Sequence, residues 1–161
     1  HLSRLSVPIV LDPVRRSSSG ASLGPEDSSA IARLLQCASV VCPNSEELDE
    51  ILSGMPAGRW AIENQTAVLH TGGHEEGDTV EDTLWLADGG HRRWRHPRVQ
   101  TAHTHGTGCT LSTAVAAGLA RGLSLPEAAE AAIQFTARLI ELSASGGLVD
   151  ANGPLLHFKI V

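Results

Sequence analysis

An α/β fold built on a mainly parallel sheet is predicted by three observations. Short, nearly continuous apolar runs alternate with stretches whose apolar residues recur at helical spacing. Each of the first three runs ends in a turn-forming or polar cluster, as buried strands of a parallel sheet do. Aromatic residues make up 3% of the 161 positions and tyrosine is absent, so the core must be built from Leu, Val, Ile and Ala. At 42% hydrophobic, the chain suffices for one compact domain and not for two ordinary ones.

Val7-Pro8-Ile9-Val10-Leu11 stops at Asp12-Pro13, the pattern of a strand buried on both faces, with Asp12 at its carboxyl end. A loop, Ser17-Ser18-Ser19-Gly20, leads to Pro25-Glu26-Asp27, whose proline and acids open a helix carrying Ile31, Leu34 and Leu35. Ser39-Val40-Val41-Cys42 predicts a second strand, closed by Pro43-Asn44. Leu48, Ile51 and Leu52 mark a second helix that ends near Gly54. The segment 55–65 carries weak signals and reads as too short for another full helix. Ala67-Val68-Leu69 predicts a third strand, ending at Thr71-Gly72-Gly73-His74. Residues 83–86, the turn Asp88-Gly89-Gly90 and residues 91–95 read as a β-hairpin. Gly106-Thr107-Gly108-Cys109 opens a helix carrying Leu111, Val115, Ala116 and Leu119. Pro126-Glu127 opens the last helix, with Ile133, Phe135, Leu139 and Ile140. The tail Leu155-Leu156-His157-Phe158-Lys159-Ile160-Val161 fits either a last strand or a loosely held terminus.

Eighteen acidic against twelve basic residues give a formal charge of −6, which disfavours nucleic acid and anionic membrane surfaces and favours a small-molecule partner. The basic stretch His91-Arg92-Arg93-Trp94-Arg95-His96-Pro97-Arg98 accordingly reads as a charged, solvated hairpin edge. Three cysteines are too few for a disulfide scaffold, and no run of about 18 apolar residues exists to span a bilayer, so a reducing, cytoplasmic location is expected. A homo-oligomer is compatible with this composition. The chain begins His1-Leu2-Ser3, without an initiator Met or signal-peptide pattern, and reads as a piece of a longer protein.

Parallel α/β sheets bind ligands beyond the carboxyl ends of their strands, where Asp12, Asn44 and the Gly72-Gly73 pair fall. The richest stretch is Thr104-His105-Gly106-Thr107-Gly108-Cys109-Thr110-Leu111-Ser112, a glycine turn running into an apolar helix. Glycines let backbone N–H groups surround an anion and the helix N-terminus adds a favourable field, so Gly106, Thr107 and Gly108 are candidates for a phosphate cradle. The same field is expected to lower the Cys109 thiol from about 8.5 and suit it to proton abstraction. Cys37 and Cys42 lack that context and read as core residues. Asn44 and Glu47 equally fit an N-cap with a first-turn acid. His103, His105 and Cys109, with His70, His74 and Cys42, are the atoms zinc would accept, yet no Cys-x-x-Cys or helical His-x-x-x-His presents them.

The string THGTGCTLS at 104–112, with LDPV at 11–14, PNSEE at 43–47 and GGH at 72–74 in that order, resembles hydroxymethylpyrimidine/phosphomethylpyrimidine kinases of the ribokinase-like superfamily. The resemblance implies a three-layer αβα fold with a mainly parallel sheet and a β-hairpin, residues 1–161 being the C-terminal part of a single kinase domain. It implies ATP-dependent, Mg²⁺-assisted phosphorylation of 4-amino-5-hydroxymethyl-2-methylpyrimidine and of its monophosphate, in thiamine biosynthesis. Carried over residue by residue, Gly106, Thr107, Gly108 and Cys109 form the anion hole, and Cys109 is the base and a substrate contact. Val14 matches a substrate-pocket position. Asp12, Asn44, Glu47, Thr71, Gly72 and Gly73 match nucleotide-binding positions, with Glu47 holding Mg²⁺ through water.

Where the family usually reads Val-Lys-Gly-Gly-His, this chain has His70-Thr71-Gly72-Gly73-His74, so the lysine that would offset triphosphate charge is absent. Arg15-Arg16 replaces an apolar pair, and segment 55–65 is shorter than the family's, as though a helix were deleted. The alternative reading is a catalytically weakened or inactive pyrimidine-binding or regulatory module of the same fold.

Overall fold

The computed structural model describes residues 6–14, 28–74, 77–145 and 153–159. Arg15 and Arg16, the 17–20 loop and the helix-start signal at 25–27 lie outside the described residues. Two compact units divide the chain, His1–His96 and Pro97–Val161, and each is described by itself.

The first unit runs β1 (Val10–Leu11), α1 (Ser28–Leu35), β2 (Val40–Val41), α2 (Ser45–Leu52), α3 (Ala57–Asn64), β3 (Ala67–His70), β4 (Thr79–Trp85) and β5 (His91–Pro97). The five strands form one sheet in sequence order. β1, β2 and β3 are parallel, with Leu11 beside Val41 and Val41 beside Val68; β4 returns antiparallel, with Trp85 beside Val68. Successive right-handed crossovers between neighbouring strands place their helices on one face. The core agrees: Val41 and Val68 meet Leu48 of α2 and Trp60 and Ala61 of α3, and Leu11, Leu35 and Trp85 close over them. The opposite face is also apolar, with Val40, Leu69 and Leu84 fully buried.

Two expectations require correction here. The 7–11 run is not a strand buried on both faces: only Val10 and Leu11 are strand, both half-buried, and Val7 is 60% exposed. Among the described residues β1 is an edge of the sheet, so one side of its backbone has no neighbouring strand to extend the pairing. Segment 55–65, in turn, does hold a helix. α3 follows Pro56, buries only Trp60 and Ala61, and ends at Gln65 in the left-handed region (φ 52°), whose N–H bonds to Ala61 and Ile62 carbonyls. Two buried side chains are too few to print a helical period. Gly58 nevertheless has a role, because a Cβ there would lie 3.3 Å from the Trp85 ring.

The hairpin also begins earlier than the apolar residues suggest. Glu81 and Asp82 belong to β4: Glu81 pairs with Arg93 at 3.1 Å and with Arg95 on β5, and Asp82 is buried. Leu86 N–H to Gly90 O at 2.8 Å and Gly89 at φ 89° form the turn.

Among the described residues, the second unit is a helical pair, α4 (Thr107–Ala120) and α5 (Leu125–Ala144), followed by a 3-10 turn, His157–Lys159. Ser124 and Glu127 cap α5 reciprocally, with proline inside the first turn. The helices meet on small residues. Ala128, Ala129 and Ala132 are buried, and a Cβ on Gly118 would stand 2.9 Å from the Ala128 Cβ. Of the apolar residues that mark these helices, Phe135 is 37% exposed and Ala116 is exposed. Close backbone approach on the alanine face leaves large side chains no room in the contact. The tail is neither strand nor loose end: Leu155 and Leu156 are 4% exposed, and Leu156 N–H donates to the buried Ser143 Oγ at 2.9 Å. Ile160 and Val161 lie outside the described residues.

Candidate functional site

In the first unit, the parallel register brings three strand ends level. Asp12 follows β1, Asn44 lies three residues past β2 and Thr71 follows β3. Cys42 N–H donates to Leu11 O at 2.9 Å and Thr71 N–H to Pro43 O at 3.2 Å, so the three loops are stitched side by side. Val14 is half-buried on the first of them. The Asp12 carboxylate is close enough to act on Cys42, whose thiol is pushed up to about 12, by burial first and by this charge second.

Asn44 and Glu47 form a complete capping box. Asn44 Oδ1 accepts the Glu47 N–H at 2.9 Å, and Glu47 Oε2 accepts the Asn44 N–H at 3.1 Å. Next to the cap, Ser45 Oγ lies 3.0 Å from His70 Nε2, and the His70 ring stacks on Trp85 with centroids 6.3 Å apart.

Beyond β3, Gly72, Gly73 and His74 make a 3-10 turn. The two glycines are not equivalent. A Cβ on Gly72 would fall 2.3 Å from the Glu81 carbonyl oxygen, whereas nothing lies within 4 Å of one on Gly73. Gly72 N–H donates to Asp82 Oδ1 at 3.2 Å, and Asp82 Oδ2 lies 3.1 Å from His96 Nε2. Asp82 and His96 were not singled out from sequence. The signal was available in Val80, Asp82 and Leu84, which alternate on the buried side of β4: an acid on that parity must find donors.

In the second unit, α4 begins at Gly106, which caps it in the left-handed region (φ 84°, ψ 11°) without a side-chain bond. The first α-helical hydrogen bond is Thr110 N–H to Gly106 O at 2.9 Å. Thr107, Gly108 and Cys109 thus make the first turn, with the Thr107 N–H donated back to Thr104 O at 3.3 Å. Cys109 is exposed, and a Cβ on Gly108 would meet nothing within 4 Å. Thr113 Oγ1 donates to Cys109 O at 2.6 Å. In the first unit, Cys42 is buried and Cys37 partly so.

Among the described residues, no group of three or more His, Cys, Asp or Glu is arranged to hold a metal ion, which leaves the zinc grouping unassembled. The basic stretch lies on β5, an edge strand whose Arg93 and Arg95 are engaged by Glu81. No helix among the described residues is long and apolar enough to cross a membrane.

A mixed sheet with two parallel crossovers, loops side by side at the carboxyl ends of its parallel strands, and a glycine-initiated helix are features of the ribokinase-like small-molecule kinases. The Bacillus subtilis pyridoxal kinase solved as an ADP complex is 30% identical and superposes with a TM-score of 0.72, covering 94% of this chain and 61% of that one. Staphylococcus aureus pyridoxal kinase solved with AMP-PCP and pyridoxal is 28% identical, with a TM-score of 0.75, covering 93% of this chain and 57% of that one. The chain belongs to the phosphomethylpyrimidine kinase family, whose profile matches residues 1–155. The Streptomyces coelicolor hydroxymethylpyrimidine/phosphomethylpyrimidine kinase is 36% identical, with 97% of this chain and 61% of the relative covered. The thiamine biosynthesis multifunctional protein ThiED of Corynebacterium efficiens is 30% identical over 95% of this chain and 22% of its own length. The chain therefore spans about three-fifths of the length of the single-function relative.

Proposed function

We propose that the protein containing this chain phosphorylates 4-amino-5-hydroxymethyl-2-methylpyrimidine and then its monophosphate, with ATP as phosphoryl donor, in thiamine biosynthesis. The observation that carries this reading is the α4 N-terminus: a left-handed glycine cap, a first turn open at Gly108, and an exposed thiol at Cys109. The names of the relatives and the nucleotides in the pyridoxal kinase structures support it.

Phosphoryl transfer needs positioning and stabilisation of spreading negative charge more than covalent help from the protein. The turn from Gly106 through Thr107 and Gly108 to Cys109 would supply that stabilisation as an anion hole at the start of α4. The acceptor oxygen forms its bond to the terminal phosphorus of ATP as the bond to ADP breaks, and its proton passes to Cys109 Sγ. A phosphate monoester, with a second pKa near about 6, is already ionised at neutral pH and needs no base. Val14 would line the pyrimidine pocket, and Asp12, Thr71, Gly72 and Gly73 the nucleotide side. Asn44 and Glu47 would hold Mg²⁺ through water, and the ion when bound would neutralise triphosphate charge. A cytoplasmic location fits Cys37 and Cys42, which form no disulfide.

The test is the full-length protein assayed for ADP release with three acceptors: the hydroxymethyl compound, its monophosphate and pyridoxal. Cys109→Ala is expected to slow phosphorylation of the hydroxymethyl compound by about 10²–10⁴ and of the monophosphate far less. Equal losses would make Cys109 structural, and turnover of pyridoxal alone would overturn the substrate class.

A further inference from the structure

Asp82 is 4% exposed, on the central part of β4, and its two oxygens serve two different pieces of chain. Oδ1 accepts the Gly72 N–H from the turn after β3, and Oδ2 meets His96 Nε2 from β5. A buried carboxylate is stable only where donors satisfy it, so its presence at this depth demands both contacts. The same turn is pressed against β4 from the other direction, because only a residue without Cβ fits between Gly72 and the Glu81 carbonyl. Backbone contact and carboxylate together leave the Gly72 peptide one orientation.

Asp82 makes no sense as a direct phosphate ligand, since an anion under an anion-binding turn repels what the turn should hold. Its second oxygen is instead taken up by His96 on β5, whose side chain is 27% exposed. We propose that Asp82 is a positioning residue for the Thr71-Gly72-Gly73 turn: it fixes the Gly72 amide so that the turn is already shaped for the triphosphate, while His96 holds the other carboxylate oxygen. This rests on the proposed assignment of that turn to nucleotide. Preorganisation of this kind shows in nucleotide affinity, and acceptor affinity does not depend on it.

The experiment uses the full-length protein and its Asp82→Ala, Asp82→Asn and His96→Gln variants. Affinity for Mg²⁺·AMP-PCP and for the pyrimidine acceptor is measured by calorimetry, and hydrogen exchange at the Gly72 amide by NMR. Asn keeps an oxygen for the Gly72 N–H and presents an amide to His96, whereas Ala keeps neither. Asp82→Ala is expected to weaken AMP-PCP binding about tenfold and to speed Gly72 exchange, with acceptor affinity within about twofold of the parent. Asp82→Asn is expected to restore both readouts. His96→Gln is expected to fall between them, and it tests the same carboxylate from the surface if Asp82→Ala fails to fold. Parent-like AMP-PCP affinity and Gly72 exchange in the Ala variant, or equal loss of nucleotide and acceptor affinity in both Asp82 variants, would overturn the proposal. Absence of AMP-PCP binding by the parent would instead overturn the assignment of the turn to nucleotide, and the Gly72 exchange rates would still decide whether Asp82 holds the amide.

Discussion

Thr110 Oγ1 lies 3.0 Å from His157 Nε2, across 47 positions of sequence. Thr110 directly follows Cys109 in the first turn of α4, and its hydroxyl also donates to Gly106 O at 2.8 Å. His157 is oriented from behind by Leu155 O, 3.2 Å from its Nδ1. A parallel bridge between His105 and Pro154 adds a second tie, so the tail braces the loop that starts α4. His157→Ala is expected to lower stability by about 0.5–1.5 kcal/mol and to speed amide exchange in the first turn of α4. Urea denaturation and NMR exchange check it, and unchanged exchange at residues 107–110 would remove the bracing role.

The two glycines that open α4 should separate fold from ligand binding. Gly106→Ala forces a side chain into the left-handed region at φ 84° and should cost about 1–2 kcal/mol. Gly108→Ala meets nothing in the protein and should fold like the parent. On the proposed function its methyl occupies the anion's approach, so Gly108→Ala should lose phosphoryl transfer at near-parental melting temperature. Full activity in Gly108→Ala would show that no ligand comes close there.

A similar asymmetry holds after β3. Gly72→Ala places a methyl against the Glu81 carbonyl and is expected to destabilise by about 3 kcal/mol or to displace the turn. Gly73→Ala has open space and should change the unfolding midpoint little. Thermal unfolding of the pair measures the contrast; equal effects would mean that the turn relaxes away from β4.

Thr71, whose backbone N–H bonds Pro43 O, stands where the family usually carries lysine. If that position faces the triphosphate, Thr71→Lys adds a cation where negative charge spreads, and AMP-PCP affinity or turnover should rise about tenfold. No change in either quantity would separate position 71 from the nucleotide.

The cysteines should react in order of exposure. At mildly alkaline pH Cys109 is expected to react with a disulfide reagent first, Cys37 more slowly and Cys42 only on unfolding. Burial raises the Cys42 thiol from 9.0 to about 12 in the folded state. Below 9.0 the thiol is neutral in both states; between there and about 12 only the unfolded chain releases the proton. Stability should therefore fall through that window by up to about 1.4 kcal/mol per pH unit, and Cys42→Ala should flatten the decline. Early labelling of Cys42 in the native protein would refute its burial.

Three parallel strands, two of the helices joining them and the glycine-opened helix were legible in sequence because apolar period and turn chemistry are local properties. The Val40-Val41 and Ala67-Val68-Leu69 runs can only be buried strands, and the motif from Thr104 to Ser112 carries its own conformational instruction in Gly106. α3 was not legible, since its burial rests on Trp60 and Ala61 meeting Val41 and Val68 from other segments. Nor was the start of β4, whose charged residues are accommodated by partners 10 to 14 positions away: Gly72 and His96 for Asp82, Arg95 for Glu81. Phe135 counts among the apolar residues that mark α5, yet the α4 contact is made through Gly118 and Ala128, where close approach outweighs side-chain area. Which glycine of the Gly72-Gly73 pair is required, and which acid holds it, was decided by the tertiary structure alone. Sequence records the residue types, but the space around a Cβ and the donors around a carboxylate exist only once distant strands have paired.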